Sequence, residues 1–357
     1  MKILLLGGTG AIGAHLTSAL SKSDAEVYVT TRSIRPDTVN VRYIHGNAKD
    51  LLFLKKLMND RYDAVVDFMN YTEDEFSERL PLLLESTGCY YFLSSSRVYA
   101  GAQMPITEIS PLLLDTATDG EYLASNEYGL AKAKEEIILR KSEYHNWIIF
   151  RPYIIYSESR FQLGALEKED WLYRVLHGKN IILQESLLQR KTTLTYSVDA
   201  AEVMSSIILK NELQTKTFNI VGSLKCQATW GEVLNVYRDI LEKKLNRKIS
   251  VSLLSDSQSK RLRKGKAYYQ TSYDRMFDRI FDNTSIETFK TSDSYLTIQE
   301  GLERTLDAFL RNPKFTFVNF AQEALIDRFT GEISNVLKIR GVKNKLIYVF
   351  YRFIKSY

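Results

Sequence analysis

A tyrosine and a lysine four residues apart are the side chains in this sequence best suited to proton transfer. Tyr128 and Lys132 lie in the segment Tyr-Gly-Leu-Ala-Lys, within a stretch of good helix formers. Four-residue spacing places both on one helical face, and an ammonium beside a phenol stabilises its phenolate form. The pair therefore predicts a general acid/base that exchanges a proton with a carbinol oxygen, although the same spacing is also typical of an ordinary surface contact.

Three glycines near the N-terminus predict a dinucleotide site. Gly7, Gly10 and Gly13 follow an apolar run and open a segment of helical periodicity. A side chain at Gly7 or Gly10 would obstruct a tight turn or the approach of a pyrophosphate, whereas Gly13 lets the helix pack on the strand. The first helical turn, with Ala11 and Ile12, offers backbone N–H groups to the phosphates. A simple strand-to-helix turn is the alternative, and the N-terminal βαβ context favours the dinucleotide.

The end of the second predicted strand favours NADP over NAD. An acidic residue there would bind both ribose hydroxyls and repel a 2′-phosphate. This sequence has Thr31 and Arg32 instead, and the guanidinium could pair with that phosphate. An exposed loop arginine is the alternative, so NAD is retained as a second candidate.

Three consecutive serines supply hydroxyl groups for the same predicted site. Ser94, Ser95 and Ser96 directly follow the apolar run 90–93. Ligands of open parallel sheets bind beyond the carboxyl ends of the strands, which is where these hydroxyls fall. A serine there could orient a substrate oxygen against the tyrosine, or it could simply cap the next segment.

The elements that must position these residues alternate along residues 1–151. Strand-like apolar runs alternate with helix-like stretches, and Ile12, Leu16 and Leu20 share one helical face. The predicted strands are Ile3–Leu6, Val27–Thr31, Val41–Ile44, Ala64–Met69, Tyr90–Leu93 and Trp147–Phe150. This rhythm predicts an α/β fold, a Rossmann-type doubly wound parallel sheet with a smaller C-terminal substrate lobe.

The domain boundaries follow from the change of rhythm after Pro152. We expect a dinucleotide-binding domain over 1–155, with a strand and helix returning from about 180–222, a substrate lobe over 156–312 and an extension over 313–357. Capping-box patterns at Thr229 and Thr297 predict two helices in the later part of the chain. The basic run 260–266 is interpreted as a solvated loop, with a phosphate clamp as the alternative.

Composition is that of an ordinary globular protein. The 357 residues are 45% hydrophobic and 25% charged, with a net charge of +5 that is too mild to argue for nucleic acid. Two cysteines make no disulfide framework, and four scattered histidines argue against a metal site. No leader pattern precedes the first strand, so we expect a cytoplasmic protein.

The motifs in order resemble the extended short-chain dehydrogenase/reductases, specifically the nucleotide-sugar epimerase/dehydratase group. The resemblance covers about residues 1–310 and rests on the glycine turn, Ser94-Ser95-Ser96-Arg97-Val98-Tyr99, the Tyr128/Lys132 pair and Arg151-Pro152-Tyr153. It implies catalytic roles for Ser95, Tyr128 and Lys132, with Lys132 also orienting the cofactor. It also implies cofactor contacts at Asn47 and Phe68, substrate contacts at Ser96 and Tyr153, and a homodimer formed through two helices, one bearing Tyr128.

Departures from the family pattern narrow the reaction. Sugar 4,6-dehydratases of the group place acidic residues after the catalytic hydroxyl, whereas Ser96 and Arg97 follow here. We therefore expect an epimerase or a 4-ketoreductase of a nucleotide-activated sugar, in cell-surface polysaccharide synthesis, with the two reactions equally supported. The alternative is a non-catalytic, NADP-sensing or RNA-associated member of the same fold.

Two basic segments have two interpretations each. Arg190 and Lys191 could contact the substrate diphosphate or lie in a solvated loop. Residues 338–357 carry six basic and no acidic residues among aromatic and aliphatic ones, in a run too short to span a bilayer. This segment could lie on the inner membrane surface, or dock on the body of the protein or on a partner subunit.

Overall fold

The structure of the protein, a computed structural model, describes residues 1–101, 104–211, 215–263 and 265–355. The strands are β1 Lys2–Leu6, β2 Glu26–Thr31, β3 Val41–His45, β4 Tyr62–Asp67, β5 Thr87–Leu93, β6 Trp147–Pro152, β7 Ile155–Tyr156, β8 Gln162–Leu163, β9 Leu166–Glu167, β10 Ile181–Gln184, β11 Lys191–Thr193, β12 Thr195–Tyr196, β13 Lys216–Ile220, β14 Gln227–Thr229 and β15 Val251–Leu254. The helices are α1 Ala11–Leu20, α2 Leu51–Met58, α3 Glu73–Glu85, α4 Leu113–Thr116, α5 Gly120–Ala124, α6 Tyr128–Lys141, α7 Leu172–Leu176, α8 Ser197–Lys210, α9 Trp230–Leu245, α10 Asp256–Leu262, α11 Lys266–Gln270, α12 Ile298–Arg311, α13 Phe320–Thr330 and α14 Val342–Val349.

Seven parallel strands form the central sheet in the order β13-β6-β5-β4-β1-β2-β3. The chain winds outward from β1 in one direction through β2 and β3, and in the other from β4 onward. Between β1 and β4 the winding direction changes, and a crevice at the carboxyl ends of the strands is expected there. The predicted Rossmann-type fold is confirmed.

Alternation along the strands explains why helices cover both faces of this sheet. Leu5 of β1 belongs to a buried cluster with Leu16 of α1 and Met204 of α8. Its neighbour Leu4 points the other way, into a cluster that includes Leu83 of α3. Strands buried on both faces read as continuous apolar runs, which is why they could be found in the sequence.

Local side-chain bonds set several element boundaries. β4 ends at Asp67, two residues before the predicted end, because its carboxylate accepts the Met69 N–H at 2.8 Å and turns the chain. The predicted capping box is present at the start of α9, where the Thr229 hydroxyl accepts the Glu232 N–H and the Glu232 carboxylate accepts the Thr229 N–H. The basic run differs from the prediction of a loop, since its first residues end α10.

The chain forms two compact units. The first comprises residues 1–157, 193–227 and 279–298, and the second comprises 158–192, 228–278 and 299–357. The chain returns to the sheet unit at Thr193 rather than near residue 180, because β10 pairs in parallel with β15 of the second unit. The second unit also includes the C-terminal extension from residue 313 as far as the structure describes it.

Within the described ranges, no helix is both long and apolar enough to cross a membrane, and no group of three or more His, Cys, Asp or Glu side chains could hold a metal ion. Cys89 and Cys226 are buried free thiols. Burial raises the pKa of Cys89 to about 11 and that of Cys226 to about 12, so both remain protonated at neutral pH.

Candidate functional site

A cavity of about 380 Å³ lies beside the β1–α1 turn, where β1 to β4 end. Five residues predicted to bind cofactor line it: Gly7, Thr31, Arg32, Asn47 and Phe68. The remaining lining residues are Thr9, Thr30, Gly46, Ala48, Lys49, Met69 and Asn70. Its size is within the range of small-molecule sites, and the fold therefore brings residues from four separate strand ends to one pocket.

The glycine turn has the geometry that a dinucleotide requires. Gly7 has φ +72°, and a Cβ there would lie 2.7 Å from Met69 Sδ. A Cβ at Gly13 would lie 2.6 Å from the carbonyl carbon of Gly8, so α1 can pack against the turn only with glycine at this position. The cradle left by these absent side chains fits a pyrophosphate that approaches the backbone closely.

α1 begins directly after Gly7 and Thr9 of the cavity wall, although Gly10, Ala11 and Ile12 are not among the lining residues. Gly10 is the N-cap, a Cβ on it would meet nothing within 4 Å, and none of the described residues caps this end with a side chain. The first N–H groups of a helix, here from Ala11 onward, have no intrahelical acceptor. Ile12 contributes only its backbone, because its side chain is buried in the core.

Two cations are among the described residues that line the cavity. Arg32 is exposed, and Lys49, which the sequence did not single out, lines the wall near it. Among the described lining residues there is no carboxylate. Thr31 is held in place by its hydroxyl, which accepts the Ser33 N–H at 3.2 Å. A phosphate would therefore meet no acidic side chain in this wall.

The Tyr128/Lys132 pair connects to the cavity through Met69. The Lys132 ammonium is 2% exposed and donates to the Met69 carbonyl at 3.2 Å and to the Glu135 carboxylate at 2.9 Å. Tyr128, one turn earlier, begins α6 and is 38% exposed. The buried lysine thus touches a residue of the cavity wall, while the phenol is open to a substrate.

Ser95 lies on a segment that packs closely against the start of α6. Its hydroxyl accepts the Arg97 N–H at 3.2 Å as a 3₁₀ turn begins. A Cβ at Gly129 would lie 2.9 Å from the Arg97 carbonyl oxygen, so glycine beside the tyrosine permits this approach. Gly129 was not among the predicted site residues, although it directly follows Tyr128 in the motif.

A buried ion pair flanks the phenol. Arg97 and Glu127, the N-cap of α6, meet at 2.5 Å, and both side chains are largely shielded from solvent. The Arg97 guanidinium carbon lies 5.6 Å from the centre of the Tyr128 ring. The departure from the family pattern at Arg97 therefore places a cation beside the proposed acid/base.

Known proteins bear on this geometry in three ways. Residues 3–221 match the NAD dependent epimerase/dehydratase family. This chain belongs to that family. The resemblance to this family that the motifs predicted is confirmed.

The fold matches solved structures of sugar-nucleotide epimerases. UDP-glucuronic acid 4-epimerase from Bacillus cereus, in complex with NAD, superimposes with a TM-score of 0.65 at 18% identity over 88% of this chain and 100% of that one. UDP-glucose 4-epimerase from Bifidobacterium longum, in complex with NAD+ and UDP, gives a TM-score of 0.64 at 17% identity over 88% and 99%. At these identities the likeness establishes the fold.

A curated plant protein is related in sequence. Chloroplast stem-loop binding protein of 41 kDa b from Arabidopsis thaliana is 26% identical over 238 residues, which are 62% of this chain and 58% of that protein. The chain therefore spans less than two thirds of the length of this relative.

Two buried carboxyls, those of Asp67 and Glu135, interact with the Lys132 ammonium. Burial raises the pKa of Asp67, and hydrogen bonds from the Met69 N–H and the Tyr90 hydroxyl offset this only in part. Burial also raises the pKa of Glu135, despite its pairing with Lys132. Lys132 thus acts on two carboxyls whose burial outweighs its stabilisation of their charged forms.

Two predicted substrate contacts lie in the core instead of on the site surface. Ser96 is fully buried and donates to the Arg151 carbonyl at 2.8 Å. Tyr153 is buried, with its ring centre 4.9 Å from that of Phe281. Both residues were expected at the site because they adjoin family motifs, and the structure gives them supporting positions.

The other two predicted substrate contacts belong to the second unit. Arg190 and Lys191 are exposed residues of the second unit, where the Lys191 N–H donates to Asp278. The Arg151 of the Arg-Pro motif is buried, pairs with Glu136 at 2.5 Å and donates to the Tyr99 hydroxyl at 2.7 Å. That motif therefore ties β6 to α6 beneath the site.

Proposed function

We propose that this protein interconverts or reduces a nucleotide-activated sugar, as a 4-epimerase or a 4-ketoreductase, with a nicotinamide dinucleotide in the cavity of the first unit. The observation that carries the proposal is the Lys132–Met69 hydrogen bond, which joins the lysine of the acid/base pair to the cavity wall. Family membership and the UDP-sugar epimerases of similar fold support it. Cell-surface polysaccharide synthesis is the process we propose for such a product.

Each side chain has a distinct role in this reaction. A bound nicotinamide supplies and accepts the hydride. Tyr128 exchanges a proton with the sugar oxygen at its exposed phenol, and Lys132 holds positive charge beside it. Ser95 donates a hydrogen bond that orients the same sugar oxygen. An epimerase would use the step in both directions with the ketosugar turned in between, whereas a reductase would use one direction.

The test is turnover on a panel of UDP-, GDP-, CDP- and dTDP-sugars with NAD+ or NADP+, and on the corresponding 4-keto sugars with NADH or NADPH. Net loss of reduced nucleotide identifies a reductase, and a sugar isomer formed without net redox identifies an epimerase. Tyr128→Phe should abolish either activity, while Tyr144→Phe on the loop after α6 should not. Turnover that survives Tyr128→Phe would overturn the proposed mechanism.

We propose NADP as the preferred cofactor, because Arg32 and Lys49 line the cavity and its described walls hold no carboxylate. Arg32→Ala should weaken NADPH binding about ten-fold, as loss of one charge-assisted contact does, and leave NADH binding unchanged. Arg35→Ala, an exposed arginine that is absent from the described lining, is the matched control. Equal loss for both cofactors would instead favour NAD.

The partners of the site are also proposals. Arg190 and Lys191 would contact the substrate diphosphate, and a homodimer would form through two helices that include α6, whose Ile137 is exposed. Arg190→Ala should raise the KM for the sugar nucleotide without changing affinity for the cofactor. Ile137→Asp should convert a dimer to a monomer in light scattering.

A second candidate function is binding of structured RNA by a non-catalytic protein. It is favoured by one observation, the printed name of the 26% identical plant relative. The presence of Ser95, Tyr128 and Lys132 weighs against it, because a binding protein has no need of a proton-transfer group. A gel-shift with stem-loop RNA, unaffected by Tyr128→Phe, together with no turnover on the sugar panel, would favour this candidate.

A further inference from the structure

The end of the chain forms a helix with two different apolar faces. α14 continues into a π-helical turn over Phe350–Ile354. On its inner face Tyr348 is fully buried, packs in a cluster with Phe320 and Ala324 of α13, and donates its hydroxyl to Asp327 at 2.6 Å. This contact fixes the rotation of the helix on the second unit.

The opposite face is apolar and open to solvent. Its residues follow one another at helical spacing and form what we call the apolar stripe: Val342, Leu346, Phe350, Phe353 and Ile354. Leu346 and Ile354 are each about two thirds exposed. Water-soluble helices place such residues inward, so an outward stripe opposite a docked face calls for an external partner.

The charge around the apolar stripe restricts the chemistry of that partner. Six basic residues lie in 338–355, and the sequence has no acidic residue after Glu332. Lys343 is exposed beside the stripe, and Lys345 is half-buried on the same helix. A partner that matches this segment must offer apolar groups to the stripe and anionic groups to the basic residues beside it.

We propose that the apolar stripe lies in the headgroup region of an anionic phospholipid bilayer, with the helix parallel to the membrane plane. Aliphatic and aromatic side chains on one face, flanked by lysines, are the composition of interfacial helices. Anionic lipids attract each basic residue near the surface. No helix in the described ranges could cross the bilayer, and this mode of contact requires none.

Two other partners fit the surface less well. A second copy of the chain would bring two sets of six cations together around a small stripe, and like charges oppose that association. RNA would match the cations, but it offers no apolar surface for Val342, Leu346 or Ile354. Of these three partners, the bilayer satisfies both features of the helix.

The experiment is co-sedimentation of the full-length protein with vesicles. Phosphatidylcholine vesicles containing about one third phosphatidylglycerol should retain at least about ten-fold more protein than pure phosphatidylcholine, and added salt should reduce the difference. The double variant Leu346→Ser, Ile354→Ser should lose this binding with an unchanged melting temperature, because both side chains are exposed. Lys343→Gln with Lys345→Gln should weaken binding to the anionic vesicles only.

The matched control is Val39→Ser with Ile109→Ser, which removes two apolar side chains exposed by more than nine tenths in the first unit and should bind as the wild type does. Equal sedimentation of wild type and the stripe variant would overturn the proposal. So would absence of vesicle binding, whether the stripe variant then changed a dimer into a monomer or abolished a gel-shift with stem-loop RNA.

Discussion

Lys132 in the first unit and Lys179 in the second are both buried lysines, but the pKa of the two carboxyls near Lys132 is raised whereas that of Asp327, beside Lys179, is lowered. Lys132 is the main cation acting on Asp67 and Glu135, Lys49 adds a smaller contribution at Glu135, and burial nevertheless raises the pKa of both carboxyls. Lys179 instead shares its carboxyls with Arg174. Burial also acts against ionisation of Asp327, but hydrogen bonds from Lys179, Tyr348 and Arg174 outweigh it and hold its pKa below the usual range.

The difference lies in the number of cations and donors for each carboxyl. Arg174 and Lys179 donate to both Glu323 and Asp327 at 2.6–2.9 Å, and the Ser334 hydroxyl donates to Asp327 at 3.0 Å. We infer that the cluster around Lys179 stabilises the second unit. Around Lys132 the cations do not fully offset the cost of burying the charged carboxylates. A carboxyl that resists ionisation leaves the ammonium charge available to the proposed cofactor and phenol.

Replacing each lysine in turn should give the largest difference between the two clusters. Lys132→Met should reduce turnover of the proposed reaction by about a thousandfold with little loss of stability, since Asp67 and Glu135 can take up protons. Lys179→Met should cost about 3 kcal/mol of unfolding free energy and leave nucleotide affinity unchanged. Urea unfolding and nucleotide titration measure the two effects. Equal destabilisation by both variants would contradict the comparison.

Neutralising one carboxyl in each cluster should change the stability of the two units by different amounts. Asp327→Asn should lower the stability of the second unit by about 3 kcal/mol, because Arg174 and Lys179 lose a shared anion. Glu135→Gln should change the first unit by less than about 1 kcal/mol, because the carboxyl it replaces is held poorly as an anion. Hydrogen exchange of the amides in α13 and α6 reports each unit separately. The comparison fails if the two variants rank in the reverse order.

The stability contributed by the two clusters should also change with pH in opposite directions. This is the smallest of the expected effects. A carboxyl with a raised pKa, such as Glu135, stabilises the fold below its unfolded pKa of about 4.3, and this contribution is lost as pH rises through the folded value. Asp327 behaves in the reverse way: its contribution is present above about pH 3.9 and is lost as pH falls through its lowered pKa. Hydrogen exchange across a pH series should show both slopes. Glu135→Gln should flatten the first and Asp327→Asn the second.

The sheet and the cofactor cavity were predictable because their signals are local. Buried parallel strands are continuous apolar runs, and Gly7 and Gly13 are required by backbone conformation and close packing within a single βαβ unit. The end of β4 was predicted two residues too late. It is set by one hydrogen bond to the Asp67 carboxylate, which the apolar periodicity of the sequence does not indicate.

The interior of the site was less predictable, because its residues depend on distant partners. Glu135 and Glu136 look like the solvated face of a helix, and only the folded chain shows that Lys132 and Arg151 hold them in the interior. Ser96 and Tyr153 were assigned to the site because they adjoin Ser95 and Arg151 in sequence. Ser96 begins a 3₁₀ turn and donates to the Arg151 carbonyl, and Tyr153 packs against Phe281, so both side chains are buried by contacts with residues distant in sequence.

The ion pairs of Arg174 have a consequence for synthesis of the chain. Its partners Glu323 and Asp327 follow it by 149 and 153 residues. A ribosome that has translated α7 must therefore complete α13 before either carboxylate can reach the guanidinium. Until then the second unit carries an unneutralised cation at a position that is buried in the finished protein. The buried ion pairs of that unit can therefore form only after α13 has been synthesised, and we expect a chain truncated before α13 to unfold at lower urea concentration.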